Sequence, residues 1–357
     1  MFNKKSSDFL KALLNTSSPS GFEIEACRVF KKYLEGFCDK VNTDVMGNTI
    51  GIINEKAQFK VMLAGHYDEI GFQIIHICEN GYLYFRQVGG IDKITLPGTE
   101  VEILTEKEKV PGIIGKKPIH LVQQNERDKS IEVKDLWIDI GASTKKEAEK
   151  LVAVGDSVAV KPNYKELKNN RIISKGLDDK IGAFVAAETI RRLKEEIKLK
   201  NIGIYCVGTV QEELGHRGAQ TAAFNITPNV GFAIDVGFAI DTPDLNVKHF
   251  GSIKLGDGPI LARNADNNIV LGKKMRELAK KNKIKYQEDA GHRASGGTDT
   301  TIIQLTKTGV ATALVSIPNR YMHTPVEMVD LKDVEGAIKL LTATIATLDT
   351  KQTFIPV

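Results

Sequence analysis

The sequence predicts an α/β fold, a doubly wound mixed sheet flanked by helices, with a β-rich, barrel-like domain inserted into it. Three observations carry that expectation. Short continuous apolar runs, of the kind that fill fully buried strands, occur with amphipathic helical stretches towards both ends of the chain. From about Gly71 to Lys165 the texture changes to short β-like pieces separated by Gly, Pro and Asn. After Ile172 the α/β alternation resumes, so the middle stretch interrupts one sheet. Residues 1–70 and 166–357 are therefore read as the sheet domain and 71–165 as the insert.

Two short helices open the chain, over residues 7–14 and 23–34, with the turn Ser17-Ser18-Pro19-Ser20-Gly21 between them. Asp44-Val45-Met46-Gly47-Asn48 reads as a hairpin turn between strands at 41–45 and 49–53. Residues 60–65 form a short apolar run that reads as a buried strand. The insert carries β-like pieces at 71–77, 82–87, 100–104, 113–114, 131–138 and 157–160, and one helical piece at 145–151. Beyond it, helices are expected at 180–194, 267–282, 300–307 and 332–348, and strands at 201–210, 230–234, 284–288 and 311–317. There is no internal repeat and no low-complexity tract.

Composition excludes several function classes. With 49 basic and 45 acidic residues, the charge is too even to imply a nucleic-acid or membrane partner. The four cysteines, Cys27, Cys38, Cys78 and Cys206, lack C-x-x-C spacing and are expected as free thiols in a reducing compartment. No apolar run is long enough to span a bilayer and no signal peptide is legible, so a cytoplasmic protein is expected.

Open α/β sheets bind ligands beyond the carboxyl ends of their strands. The polar residues just after the expected core strands are His66, Asp68 and Glu69, then Glu212 and Glu213, then Asp235, then Arg320 and His323. Asp178 and Asp179 stand at the start of the helix expected from Lys180. Taken singly, each has another reading: a capped turn for His66-x-Asp68, a helix N-cap for the Asp pair, a solvated strand end for Glu212-Glu213. Adjacent carboxylates in extended chain point opposite ways, which would also suit a metal and its water. Together they place imidazoles and carboxylates on one rim. No G-x-S-x-G elbow is present, and no strand end pairs Ser or Cys with histidine. Two imidazoles with carboxylates suit Zn²⁺, Co²⁺ or Mn²⁺ better than Mg²⁺ or Ca²⁺.

Several segments carry a specific resemblance. They are Ser18-Pro19-Ser20-Gly21-Phe22-Glu23, Thr43-Asp44 with Gly47-Asn48, and Gly65-His66-Tyr67-Asp68-Glu69-Ile70-Gly71-Phe72. Leu177-Asp178-Asp179-Lys180-Ile181-Gly182, Gln211-Glu212-Glu213-Leu214-Gly215 and Ala233-Ile234-Asp235 follow, and then Tyr321-Met322-His323-Thr324-Pro325-Val326-Glu327-Met328. In this order, and with Gly112–His120 and Asp139–Ser143 in the insert, the chain resembles the M42 family of dinuclear metallo-aminopeptidases. These are the tetrahedral, glutamyl-aminopeptidase-like enzymes.

The resemblance implies two divalent metal ions per subunit. His66 and Asp235 would hold one, Glu213 and His323 the other, and Asp178 would bridge both. Asp68 would orient His66, and Glu212 would serve as general base towards a water shared by the metals. A cis peptide between Asp178 and Asp179, peptide substrates with a free N-terminus, and assembly through the insert into a hollow dodecamer are also implied, a dimer being the other candidate. Tyr67, Lys180 and Thr324 depart slightly from the pattern without removing a ligand. Gly296-Gly297-Thr298-Asp299 reads either as a wall of the substrate pocket or as a tight turn before a helix. His292 and Arg293 precede it and read first as surface strand positions; if either faced the pocket, an acidic first residue would be favoured. Trp137 and Phe85 read as core of the insert. The competing readings are a two-metal amidase of small N-acyl amino acids, a glycosidase, and an inactive assembly protein.

Overall fold

A computed structural model describes residues 2–123, 130–197, 199, 201–290 and 295–357. Helices α1 (Lys4–Leu14) and α2 (Ile24–Leu34) open the chain. Asn3 Oδ1 accepts the Ser6 N–H at 2.8 Å and starts α1, which buries Phe9, Leu10, Leu13 and Leu14 along one stripe. Strands β1 (Lys40–Thr43) and β2 (Thr49–Ile53) form a hairpin. Its turn is built on Asp44, whose Oδ1 accepts the N–H groups of Met46, Gly47 and Asn48. Strand β3 (Phe59–His66) follows.

Strands β4 (Gly71–Ile77), β5 (Leu83–Val88), β6 (Glu100–Leu104), β7 (Lys109–Gly115) and β8 (Trp137–Asp139) come next. After a single helical turn, α3 (Lys145–Ala148), β9 (Ser157–Val160) completes a closed barrel in the order β4-β5-β8-β7-β6-β9. Phe72, Phe85, Ile103 and Ile138 are among the side chains that fill it. Phe72 meets Phe85 edge-on at 4.9 Å. Trp137 is only half-buried and packs against Tyr82, so of the two expected core aromatics Phe85 alone sits fully inside. The piece expected as a strand over 131–138 is a 3-10 turn at Val133–Asp135 followed by β8, because Asp135 and Glu132 cap each other's backbone.

The remaining chain alternates strands and helices. It runs β10 (Lys165–Glu166), β11 (Arg171–Ser174), α4 (Leu177–Glu196), β12 (Ile202–Thr209), α5 (Arg217–Ile226) and β13 (Val230–Phe238). Then come α6 (Val247–Phe250), β14 (Ile260–Ala262), α7 (Ile269–Lys281), β15 (Gln287–Asp289) and α8 (Thr300–Ile303). Strands β16 (Ala311–Asn319) and β17 (Glu327–Asp330) and helix α9 (Leu331–Ile345) end it. Helix α5 is absent from the sequence expectation because its buried face is Ala219, Ala222 and Ala223, too small to raise an apolar periodicity. Helices α3 and α8 are shorter than expected, and β13 runs four residues past Ile234, so that Asp235 lies inside the strand.

The large sheet has the order β1-β2-β12-β3-β13-β16-β14-β15. Its centre, β12, β3, β13 and β16, is parallel, while β2 and β14 join antiparallel, so the sheet is mixed. Val61 and Leu63 of β3 pack with α4 and its neighbours on one face. Met62 and Ala64 pack with α5 and Ile303 on the other. That two-sided burial explains why the central strands read as continuous apolar runs. Strands β10, β11 and β17 form a separate small sheet. All four cysteines are free, and among the described residues no helix is long and apolar enough to cross a membrane.

The end of β3 touches α4 directly. A Cβ at Gly65 would lie 2.5 Å from the Ala183 backbone nitrogen and from the Gly182 carbonyl carbon. Gly65→Ala is expected to lower stability by about 1–3 kcal/mol, the cost of overpacking a rigid contact. Urea unfolding checks this, and an unchanged midpoint contradicts the close approach.

Candidate metal centre

The parallel centre of the sheet delivers its carboxyl ends to one place. His66 is the last residue of β3 and pairs in register with Thr209, the last of β12. Asp235 stands on β13 opposite Ser316 of β16. β16 leads into the loop that carries His323, a residue with φ +61°. Asp178 opens α4 in a non-helical conformation (φ −78°, ψ 107°), and its peptide bond to Asp179 is cis.

These residues come from distant points in the chain and meet. His66 Nε2 lies 3.2 Å from Oδ1 of Asp178, 3.7 Å from Oε2 of Glu212 and 4.0 Å from Oδ1 of Asp235. His323 Nε2 lies 3.3 Å from Oδ2 of Asp178 and 3.4 Å from Oε1 of Glu213. The two oxygens of Asp178 thus face two different imidazoles. Among the described residues two sets of ligand atoms could each hold a cation, Asp178-Glu213-His323 and His66-Asp179-Asp235, all within 4.8 Å inside each set. In the second set, however, Asp179 is already engaged: Oδ2 accepts the His66 N–H at 3.2 Å and Oδ1 the Gly182 N–H at 3.1 Å. Asp178 Oδ1 is the freer oxygen on that side.

Glu212 and Glu213 do not lie in extended chain. β12 ends at Thr209, Gln211 takes φ +53° and Gly215 φ +106°, and the pair sits on a tight turn. Their carboxylates still diverge, Glu212 towards His66 and Glu213 towards His323. Asp68 holds the turn in place, its Oδ1 accepting the Glu212 N–H at 3.0 Å and its Oδ2 the Glu213 N–H at 3.2 Å. It also stands behind His66: Nδ1 lies 3.1 Å from the Asp68 carbonyl oxygen and 3.5 Å from its carboxylate. Glu69 and Arg320, expected on the same rim, turn away. Glu69 is buried between Lys175 and Lys180, and Arg320 pairs with Asp241, because each has a stronger local counter-charge.

Sequence reasoning assigned no role to Glu327 or His216. Glu327 is buried and accepts the Asp178 N–H at 2.8 Å and the His323 N–H at 3.0 Å, tying two distant residues together. His216 Nε2 lies 3.0 Å from Glu212 Oε1. The spacing Glu212-x-x-x-His216 was readable, but only the turn makes the two side chains face each other. Gly89 and Gly90, after β5, also approach the site: a Cβ there would come within 3.1 Å of Glu213 and 3.3 Å of His323. Gly296, Gly297 and Thr298 line the same cavity, of about 620 Å³, together with Phe238, Ile260 and Asp289. His292 and Arg293 lie outside the described residues.

The electrostatics show what the donor set lacks. Burial, with the charge of Asp178 nearby, drives the Asp235 carboxyl well above its ordinary value even against His66. Burial likewise pushes Glu213 up to about 7, against its hydrogen bond to His323. Burial opposes the charge on His323, yet its bonds to Asp178 and Glu213 outweigh it and hold the imidazole up at about 11. Asp178 is pulled well down by the two imidazoles in spite of burial. Among the described residues lining the cavity there is no lysine or arginine. Buried acids so short of positive charge fit divalent cations, with imidazole and carboxylate donors already converging.

A doubly wound sheet with such a donor set on its carboxyl rim, and a barrel inserted after β3, defines a metal-dependent hydrolase. The chain belongs to the M42 peptidase family: the family model of M42 glutamyl aminopeptidases matches residues 47–340. A lysyl aminopeptidase of Pyrococcus furiosus is 36% identical over 341 residues, covering 94% of this chain and 95% of that protein. The crystal structure of a TET aminopeptidase from the marine sediment archaeon Thaumarchaeota archaeon SCGC AB-539-E09 is 37% identical, covers 97% of both chains and gives a TM-score of 0.92. The TET1 peptidase of Pyrococcus horikoshii, which can assemble into a tetrahedron or a large octahedral shell, is 34% identical. Its TM-score is 0.83, over 96% of this chain and 100% of that one. The chain is thus an aminopeptidase of a metal-dependent hydrolase family.

Proposed function

We propose that the protein is a dinuclear metallo-aminopeptidase that removes residues from the free N-termini of peptides. His66 and Asp235 would hold one ion, Glu213 and His323 the other, and Asp178 would be shared by both. The observation that carries this is the divided carboxylate of Asp178, with Oδ1 on His66 at 3.2 Å and Oδ2 on His323 at 3.3 Å. Imidazole with carboxylate favours zinc or cobalt, then manganese. When bound there, the ions would polarise a water and lower its pKa towards roughly 7.

The chain's own residues do the rest. Glu212 takes the water's proton on the oxygen that faces His66 and returns it to the leaving amine. Asp68 fixes His66 from behind and, through the amides of Glu212 and Glu213, keeps base and ligand at a set separation. The substrate's α-amine would bind among the buried carboxylates or at a metal ion held there, which would confine cleavage to the first residue. Residues 1–70 and 166–357 form the catalytic domain and 71–165 an oligomerisation domain. The shells formed by the Pyrococcus horikoshii relative support a homo-oligomer, a tetrahedral dodecamer being favoured over a dimer. The free cysteines support a cytoplasmic location.

A panel of aminoacyl anilides and their N-acylated counterparts, assayed before and after chelation, tests the reading. Activity is expected on free-amine substrates only, lost with the chelator and regained with zinc, cobalt or manganese. Activity that prefers acylated substrates, or that survives complete metal removal, overturns it.

A further inference from the structure

We propose that His216 is a positioning residue for Glu212, holding one carboxylate oxygen so that the other faces the metal centre. The inference rests on the reading of Glu212 as general base. Nε2 of His216 donates to Oε1 of Glu212 at 3.0 Å, while Oε2 of the same carboxylate lies 3.7 Å from His66 Nε2. One oxygen is thus fixed from the cavity wall and the other is left towards the site. A glutamate on a turn has three free side-chain torsions, and a base must sit within about 0.5 Å of its working position. No other hydrogen bond to the Glu212 carboxylate occurs among the described residues.

The backbone is arranged to make this contact. The N–H groups of Gly215 and His216 both donate to the Glu212 carbonyl, at 2.8 and 2.9 Å, and curl the turn back on itself. His216 takes a left-handed conformation, φ +58° and ψ +29°, immediately before α5. That conformation is uncommon for a histidine and turns the imidazole over the base. Asp299, close enough for its charge to act on His216, is buried, with Oδ2 accepting the Thr209 hydroxyl at 2.6 Å and Oδ1 without a hydrogen-bond partner among the described residues. The groups whose charge His216 feels are Glu212, Asp299 and His66. The bond to Glu212 raises the imidazole above its ordinary value against burial, with Asp299 acting in the same direction. His216 is in neither set of candidate ligands, so its contribution is orientation of the base.

Three substitutions separate side chain from backbone. His216→Gln keeps a donor of similar reach, His216→Asn tolerates the left-handed backbone but is too short, and His216→Ala removes the donor. With metal content checked, Ala and Asn are expected to lower kcat by about 10–100-fold with KM unchanged, the scale of a misplaced catalytic group. Gln is expected to restore most of the loss. Wild-type kcat in His216→Ala, rescue by Asn but not Gln, a change confined to KM, or loss of metal in all three overturns the inference. In a double variant, Glu212→Gln with His216→Ala is expected to be no slower than Glu212→Gln alone, since the two residues act as one unit. If Glu212→Gln itself keeps its turnover, it is the base assignment that fails, whatever the His216 variants do.

Discussion

Asp178→Ala is expected to purify with well under two metal ions per chain and to lose activity by roughly 10⁴-fold or more, as when one member of a catalytic unit is removed. The reason is geometric. Among the described residues Asp178 is the one carboxylate in contact with both His66 and His323, which belong to separate ligand sets. If it bridges as proposed, its removal would take a donor from each ion at once and leave the two imidazoles without the carboxylate between them. Glu213 and Asp235 cannot compensate, because each lies on its own side. The Asp178 N–H would still bond Glu327, so the backbone is expected to stay in place. Asp178→Asn provides the control for shape, with the charge removed and the volume kept. Elemental analysis of both variants, beside far-ultraviolet circular dichroism, decides the point: full metal occupancy with a folded chain rejects the bridging role.

Much of this arrangement is legible in the sequence alone, and the reason is the chemistry of open sheets. Buried parallel strands announce themselves as apolar runs, so the polar residue that ends each run is easy to find. His66 was legible in that way from 60–65. Asp235 stands at the end of the expected apolar run, but β13 continues past it to Phe238, so it sits inside the strand. What the sequence could not give was the hand of each side chain. Glu69 and Arg320 end runs as well as His66 does, yet local ion pairs draw them elsewhere. Glu327 and His216 act through pairings that only the folded loops create. The barrel's strands were legible as β texture because Gly and Pro punctuate them. Helix α5 was not, because alanine packs without marking a period.

Glu212→Gln should divide cleanly from Asp178→Ala: metal retained, turnover lost. Glu212 Oε2 approaches His66 at 3.7 Å, but the carboxylate stands outside both candidate ligand sets, so exchanging it for an amide removes no proposed ligand. Glutamine has the same length and can still face His216 through its carbonyl oxygen, so the side chain is expected to keep its place. What it cannot do is accept a proton. If proton transfer is the whole role, kcat falls by about 10²–10⁴-fold, equivalent to about 3–5 kcal/mol of transition-state stabilisation. KM should move little, because substrate is held elsewhere. The measurement is kcat and KM on an aminoacyl anilide, with metal content determined on the same preparation. Near-wild-type turnover would remove Glu212 from proton transfer, and loss of an ion would make it a ligand instead. Both outcomes leave the placement of Asp178 between the two histidines untouched, so the centre and its base stand or fall on separate experiments.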